Sequence, residues 1–230
     1  PDYIDETIYY LGQSYAFIWQ NINQDILFNG NYISNNIEFD HADIFENIDA
    51  VIKNFHHLVR IVPRSGRIIY NRDDKNIIKM IEKGLWSKKV SLTSKGYKDS
   101  DWSLSHTDNS FYLKKINTKL THEKKIDSSL IGVHNYKNIS LAILASIQTG
   151  VSFAKCIEAI KEFKGVKRRF EFIVRQPNFV FIDDYAHHPT ELEAFIKSVK
   201  LLYPNEKITG IFQPHLYSRT KDFADGFAKS

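Results

Sequence analysis

The sequence predicts an α/β fold with parallel strands, on three observations. Apolar residues in the first half recur at spacings of three and four, the period of amphipathic helices, and short β-branched and aromatic runs bounded by Gly, Pro or Asn lie between and after them. In the last third, FEFIV (170–174), FVFID (179–183) and ITGIF (208–212) read as strands. Between the last two lies TELEAFIKSVKLLY, with Leu192, Phe195, Ile196, Val199 and Leu202 on one helical face. A helix of about 14 residues carries the chain back along a sheet, so the strands on either side of it are expected to be parallel, with a right-handed crossover.

Residues 1–30 are rich in aromatics and Asn without a clean period and are left unassigned. NYISNNIE (31–38) predicts a short strand that runs into the polar cluster Asp40, His41 and Asp43. Ile48, Val51, Ile52, Phe55, Leu58, Val59 and Val62 form one helical stripe, stopped at Pro63, Ser65 and Gly66. His56 and His57 fall within that helix and are taken as packing or surface residues. RIIY (67–70) predicts a strand and KNIIKMIEKG (75–84) a short helix closed by Gly84. From Trp86 to about Lys125 polar and apolar residues alternate, which predicts exposed strands or loops. Helical spacing returns over 135–149 and ends at Gly150; Ser152 then caps a second helix carrying Phe153, Ile157, Ile160 and Phe163. QPN (176–178) is a turn signal between two strands, and Thr190 three residues ahead of Glu193 predicts a capping box for the helix that follows.

Composition narrows the function classes. At 230 residues, 43% hydrophobic and 25% charged, the chain has the makings of an ordinary globular core. A formal net charge of +4 is a mild basic excess that tolerates an anionic ligand without demanding nucleic acid. The lysine-rich run KKINTKLTHEKK (114–125) lacks aromatic interleaving and any known reading motif, so a nucleic-acid partner is not expected. Apolar runs fall far short of the roughly 18 residues of a membrane span, and no basic-then-apolar leader opens the chain; a cytoplasmic location without a membrane partner is the expectation. The single cysteine, Cys156, sits in a helical pattern and is expected to be an inert core thiol in a reducing compartment. The ten glycines are never closer than 12 positions apart (84 and 96), so neither GxxxxGK nor GxGxxG is encoded.

The polar residues gather at strand ends. With parallel strands, Asp183, Asp184, Tyr185, His187 and His188 at the end of one strand meet Gln213, His215, Tyr217 and Arg219 at the end of the next. That edge is where open parallel sheets bind ligands, and a helix N-terminus adds donors for anions. Paired histidines beside paired aspartates suit metal ligation, acid–base work, or merely a strand-end turn with a helix cap; His215 and Arg219 arriving at the same edge point to a ligand site. DHAD (40–43) offers donors of the kind that hold magnesium or manganese, although one histidine makes no metal signature. In GVHNYKN (132–138) a spacing of three puts Asn135 and Asn138 on one helical face beside His134, and N-capping accounts for one of the two. Two arginines in GVKRRFEF (165–172) suit phosphate recognition or a solvated turn.

Taken together and in this order, DHAD, GVHNYKN, FKGVKRRFEF, IDDYAHHPTE and FQPHLYSRT resemble the Mur ligases of peptidoglycan synthesis over residues 31–230. The resemblance implies part of a central ATPase domain (31–166) followed by a truncated Rossmann-like C-terminal domain with parallel strands (167–230). It implies ATP and Mg2+ as cofactors, and an amide bond made through an acyl phosphate on UDP-N-acetylmuramate. By the same resemblance, His41 holds a magnesium ion, His134, Asn135 and Asn138 line the ATP site, and Arg169 and Asp184 complete it from the C-terminal domain. Arg169, Asp184 and His188 are then the expected catalytic residues, and His188, His215 and Arg219 bind the amine and the precursor. FQPHLYSRTKDFADGFA is similar to the member that attaches L-alanine, whereas NNIEFDHADIF and FHHLVRIVP are similar to the member that attaches L-alanyl-gamma-D-glutamyl-meso-diaminopimelate. Since the C-terminal domain selects the amine, L-alanine is expected, with the tripeptide as the alternative. The family's UDP-binding domain, its phosphate loop with the catalytic lysine, and the acidic stretch for the first magnesium are not found in these residues. The expectation is therefore an incomplete, inactive piece of a longer ligase, with a non-catalytic nucleotide-binding module as the other reading.

Overall fold

A computed structural model describes residues 31–39, 45–107, 110–116, 123–214 and 217–230. Strand β1 (Asn31–Ser34) is followed by α1 (Ile48–Ile61), β2 (Arg67–Asn71), α2 (Lys75–Glu82), β3 (Lys88–Thr93), β4 (Trp102–Thr107), β5 (Ser110–Lys115) and β6 (Glu123–Ile126). These strands form one sheet in sequence order, parallel from β1 to β4 and antiparallel from β4 to β6. Two helices come next, α3 (Val133–Gln148) and α4 (Phe153–Glu162). The α/β class is as the sequence predicts.

Local chemistry places each helix. Asn47 caps α1 by accepting the Ala50 N–H at 3.0 Å, and the helix stops before Pro63, which has no N–H to continue it. Asp74 caps α2 by accepting from both Asn76 and Ile77 at 2.9 Å. Ser152 caps α4 through the Lys155 N–H, as its position in the sequence suggests.

Alternation along β2 assigns its two faces. Ile68 and Tyr70 pack with Val51, Ile52, Ile77 and Met80 under α1 and α2, whereas Ile69 packs with Leu141, Ile143 and Leu144 of α3. A sheet covered on both faces needs apolar residues on both, and each fully buried Ile or Leu contributes about 2 kcal/mol. Such burial also corrects the reading of 86–125. Leu92, Trp102, Leu104 and Leu113 belong to the core, because the alternating residues cover α3 and α4 on one side only. Cys156 is buried in the same core, and burial pushes its thiol pKa up, in keeping with an inert role. Among the described residues, no helix is long and apolar enough to cross a membrane.

The C-terminal part departs from expectation. Strands β7 (Glu171–Gln176) and β8 (Phe179–Asp183) make a two-stranded antiparallel ribbon, followed by α5 (Pro189–Leu202), α6 (Tyr217–Asp222) and α7 (Ala224–Lys229). Segment 208–212, expected as a third strand parallel to β8, is no strand: it lies exposed along its length, with Ile211 95% accessible. A strand persists only where its backbone groups find a ladder and its side chains a covered face, and the ribbon turns Ile173, Phe179 and Phe181 outward. Among the described residues, the parallel strands lie in the six-stranded sheet. The capping box is also corrected. His188 caps α5 with Pro189 in the first turn, while Glu193 pairs with Lys197 one turn further along.

Candidate functional site

The predicted residues that the structure describes lie where α3 begins, where the chain enters β7, and where β8 turns into α5. Arg169 stands between two residues with left-handed backbone, Arg168 (φ 59°) and Phe170 (φ 53°). Left-handed geometry costs a non-glycine residue on the order of 1 kcal/mol, so surrounding bonds must hold it. They are visible: Glu171 accepts the Arg168 N–H at 2.8 Å, Tyr185 donates its N–H to the Arg168 carbonyl at 2.7 Å, and Asp184 accepts the Phe170 N–H at 2.8 Å. The other oxygen of Asp184 accepts the Ala186 N–H at 2.8 Å. Asp184 thus pins two turns together, and Arg169 is displayed between them.

The Arg169 guanidinium lies 3.3 Å from Glu191, whose second oxygen accepts the His187 N–H at 3.0 Å. Burial raises the pKa of Asp184 above its ordinary value, outweighing the two backbone N–H bonds and the Arg169 cation that oppose it. His134, at the start of α3, is shifted the other way: desolvation of the ring, and then the Arg169 charge, disfavour its protonated form. Arg169 therefore couples electrostatically to groups on both α3 and the β8–α5 turn.

His188 ties the β8–α5 turn to the segment after β1. Its Nδ1 lies 3.4 Å from the Thr190 N–H, which it accepts when unprotonated, and 3.5 Å from Glu38, to which it donates when protonated. Its Nε2 is buried without a protein partner, and Phe223 packs edge-on against the ring at 4.9 Å. A buried imidazole nitrogen left unmatched marks a place where a ligand or water completes the bonding.

The two asparagines of α3 separate. Asn135 turns its amide back to the Ile131 carbonyl at 2.7 Å, whereas Asn138 accepts at Oδ1 from the Asn35 amide at 2.5 Å. Gly132 ahead of them has φ 93°, and a Cβ there would stand 2.6 Å from Ser198 Oγ of α5 and 2.7 Å from the His134 ring. His41 and His215 lie outside the described residues, as does the Arg219 side chain, although α6 includes its backbone. No cluster of three metal-ligating side chains occurs among the described residues.

A second polar locus, not foreseen from the sequence, occupies the carboxyl ends of β1, β2 and β3. Asp73 accepts from Thr93 Oγ1 (2.6 Å), Ser94 N (2.8 Å) and Ser94 Oγ (2.6 Å), and lies 3.5 Å from Lys137 Nζ of α3. Burial alone would raise its pKa, but those hydrogen bonds and the lysine together pull it below the ordinary value. The available signal was the open-sheet rule itself, applied to NRDD (71–74) after β2.

Residues 31–146 match the Mur ligase middle domain, and residues 168–230 match the glutamate ligase domain of Mur ligases. The chain is 39% identical over 197 residues to a UDP-N-acetylmuramate–L-alanine ligase of Flavobacterium psychrophilum, covering 84% of this chain and 41% of that protein. It is 34% identical over 200 residues to the same-named ligase of Cytophaga hutchinsonii, covering 86% and 42%. Among solved structures, the UDP-N-acetylmuramate-alanine ligase MurC of Thermotoga maritima superposes with a TM-score of 0.63 at 26% identity, over 87% of this chain and 43% of that one. The murein peptide ligase of Psychrobacter arcticus superposes with a TM-score of 0.59 at 27% identity, over 82% and 40%. The chain thus spans about two fifths of the length of the relatives it matches.

Proposed function

The chain belongs to the Mur ligase family, and from that premise we propose that it carries the nucleotide-facing and amine-selecting portions of an ATP-dependent ligase joining L-alanine to UDP-N-acetylmuramate. The observation that carries this reading is the Arg169 turn, a cation displayed from a strained backbone at the start of the C-terminal match and coupled to His134 at the end of the middle-domain match. Strain of that kind persists where the surrounding structure is organised around one side chain.

The donors present suit a nucleotide. Arg169 offers a planar fork for phosphate oxygens, and His134 and Asn138, in the first turns of α3, offer neutral groups. When bound, ATP and Mg2+ supply the phosphoryl group and the positive charge that convert a carboxylate into a reactive acyl phosphate. The protein's part at this site is to hold the phosphates with Arg169, to keep that arginine oriented through Glu191, and to keep the His134 ring neutral. We assign His188, with its unmatched Nε2, to the amine or the precursor, and the family resemblance gives His215 and Arg219 the same role. The alanine specificity rests on the likeness to ligases that join L-alanine to UDP-N-acetylmuramate; the likeness to a murein peptide ligase keeps the tripeptide as a second reading.

Calorimetric titration with ADP tests the reading. We expect binding by the 230-residue chain that Arg169→Ala weakens about tenfold, the loss of one charged hydrogen-bonding group. Unchanged affinity in that variant would overturn it. Since no phosphate loop is encoded in these residues, no ATP- and alanine-dependent phosphate release is expected from the chain by itself.

A further inference from the structure

We propose that Asn35 is a positioning residue that decides which end of the Asn138 amide is presented to a bound nucleotide; this rests on the nucleotide reading above. Asn35 follows β1 at the carboxyl edge of the parallel strands, and its Nδ2 donates to Asn138 Oδ1 at 2.5 Å across 103 residues of sequence. A carboxamide has two chemically opposite ends, two N–H donors and one carbonyl acceptor. With its carbonyl held by Asn35, what Asn138 has left to offer is its NH2, which suits an acceptor such as a purine ring nitrogen or a phosphate oxygen.

The backbone that carries the contact is anchored at both ends. The Asn35 main-chain carbonyl accepts from Asn71 Nδ2 at 3.0 Å, and Asn71 Oδ1 accepts the Asp73 N–H at 3.1 Å. Asp73 in turn pairs with Lys137, the residue that precedes Asn138 on α3. A closed circuit therefore runs from β1 through β2 to the first turns of α3 and back. End-over-end rotation of the Asn138 amide by itself would set its NH2 against the NH2 of Asn35, so the two amides set each other's orientation.

Asn35→Asp separates this role from a structural one, because a carboxylate at that position accepts and cannot donate. The Asn138 amide must then turn and present its carbonyl outward. Nitrogen-15 NMR of the chain without ligand should show one Asn138 side-chain N–H proton moving downfield and exchanging more slowly with solvent in Asn35→Asp. An Asn138 amide unchanged in that variant would overturn the inference. In ADP titrations we expect Asn35→Asp to weaken binding about tenfold and Asn35→Ser, which keeps a donor, about threefold, the loss and partial loss of one hydrogen bond. ADP binding by the wild-type chain that Asn35→Asp leaves intact overturns this inference alone. Failure of the wild-type chain to bind ADP overturns the nucleotide reading instead, and the NMR comparison still decides the orientation. Thermal melts of each variant identify any loss caused by unfolding.

Discussion

The sheet of β1 to β6 and the part that follows it, residues 167–230, are held together differently. In the first, both sheet faces are covered, and Ile52, Ile68, Ile69, Leu92, Leu113 and Leu144 are essentially sealed from solvent. In the second, Phe170 is the one large apolar residue among the described ones that counts as buried, while Phe179, Phe181, Leu201, Ile211 and Tyr217 face out. Order there comes from directed polar contacts: Asp184 across two turns, Glu191 on Arg169, and His188 towards Glu38. A rigid apolar body thus presents one half of the site, and a polar lattice laid against it presents the other.

The sharpest way to break this comparison is a matched pair of truncations. Leu144→Ala, in the core, should cost about 3 kcal/mol in urea unfolding, the transfer energy plus the cavity it leaves. Ile211→Ala, 95% exposed, should stay within about 0.5 kcal/mol. Comparable losses would mean that the C-terminal part has a core of its own.

A smaller effect, on the order of 2 kcal/mol, is expected for Gly132→Ala, which combines a left-handed backbone position with a Cβ 2.6 Å from Ser198 Oγ. Because that position touches α5, the substitution should also loosen the second region. Faster proteolysis of residues 167–230 in Gly132→Ala would show it; unchanged proteolysis would show that the two parts stand independently.

The smallest effect is one of sign. Asp73 has its pKa lowered in the folded state, so its contribution is present above the unfolded value of 3.8 and is lost as pH falls through the folded value. Asp184 has its pKa raised, so the folded state binds the extra proton, and stability declines as pH rises from 3.8 through its folded value. His134, lowered from 6.5, adds a loss of stability on acidification below that value. Stability measured against pH should therefore lose part of its acid limb in Asp73→Asn and show a shallower decline above 3.8 in Asp184→Asn. Shifts of the same sign in both variants would erase the contrast.

The two regions also differ in how far they could be read from residues alone. The stripes of α1, α2 and α4 and the run RIIY were legible because a helix or a buried strand repeats its apolar residues at a fixed period. The alternation in 86–125 was visible too, but not that one side of it would be sealed by α3. ITGIF had the composition of a strand and did not become one, since strand formation depends on a partner edge that its own residues cannot supply. Thr190 and Glu193 had the spacing of a capping box, yet the chain enters α5 one turn position earlier, through His188 and Pro189. At the site, Arg169, His134 and Asp184 were visible as motif residues, whereas Asn35, Asn71 and Asp73 were not, because their partners lie on other strands and on α3.

What the sequence determined by itself was periodic and local: the helices of the sheet domain, the cap at Ser152, the absence of a phosphate loop from these residues, and the ordered motifs that mark the family. Tertiary structure decided what each polar side chain is free to do, turning Asn135 inward, fixing the Asn138 carbonyl on Asn35, and engaging both oxygens of Asp184 with backbone N–H groups. The physical reason is one of range. Backbone propensity and apolar spacing act over a few residues, whereas the direction of a hydrogen bond and the cost of burying a charge depend on groups that only the completed fold brings within 3 Å or so.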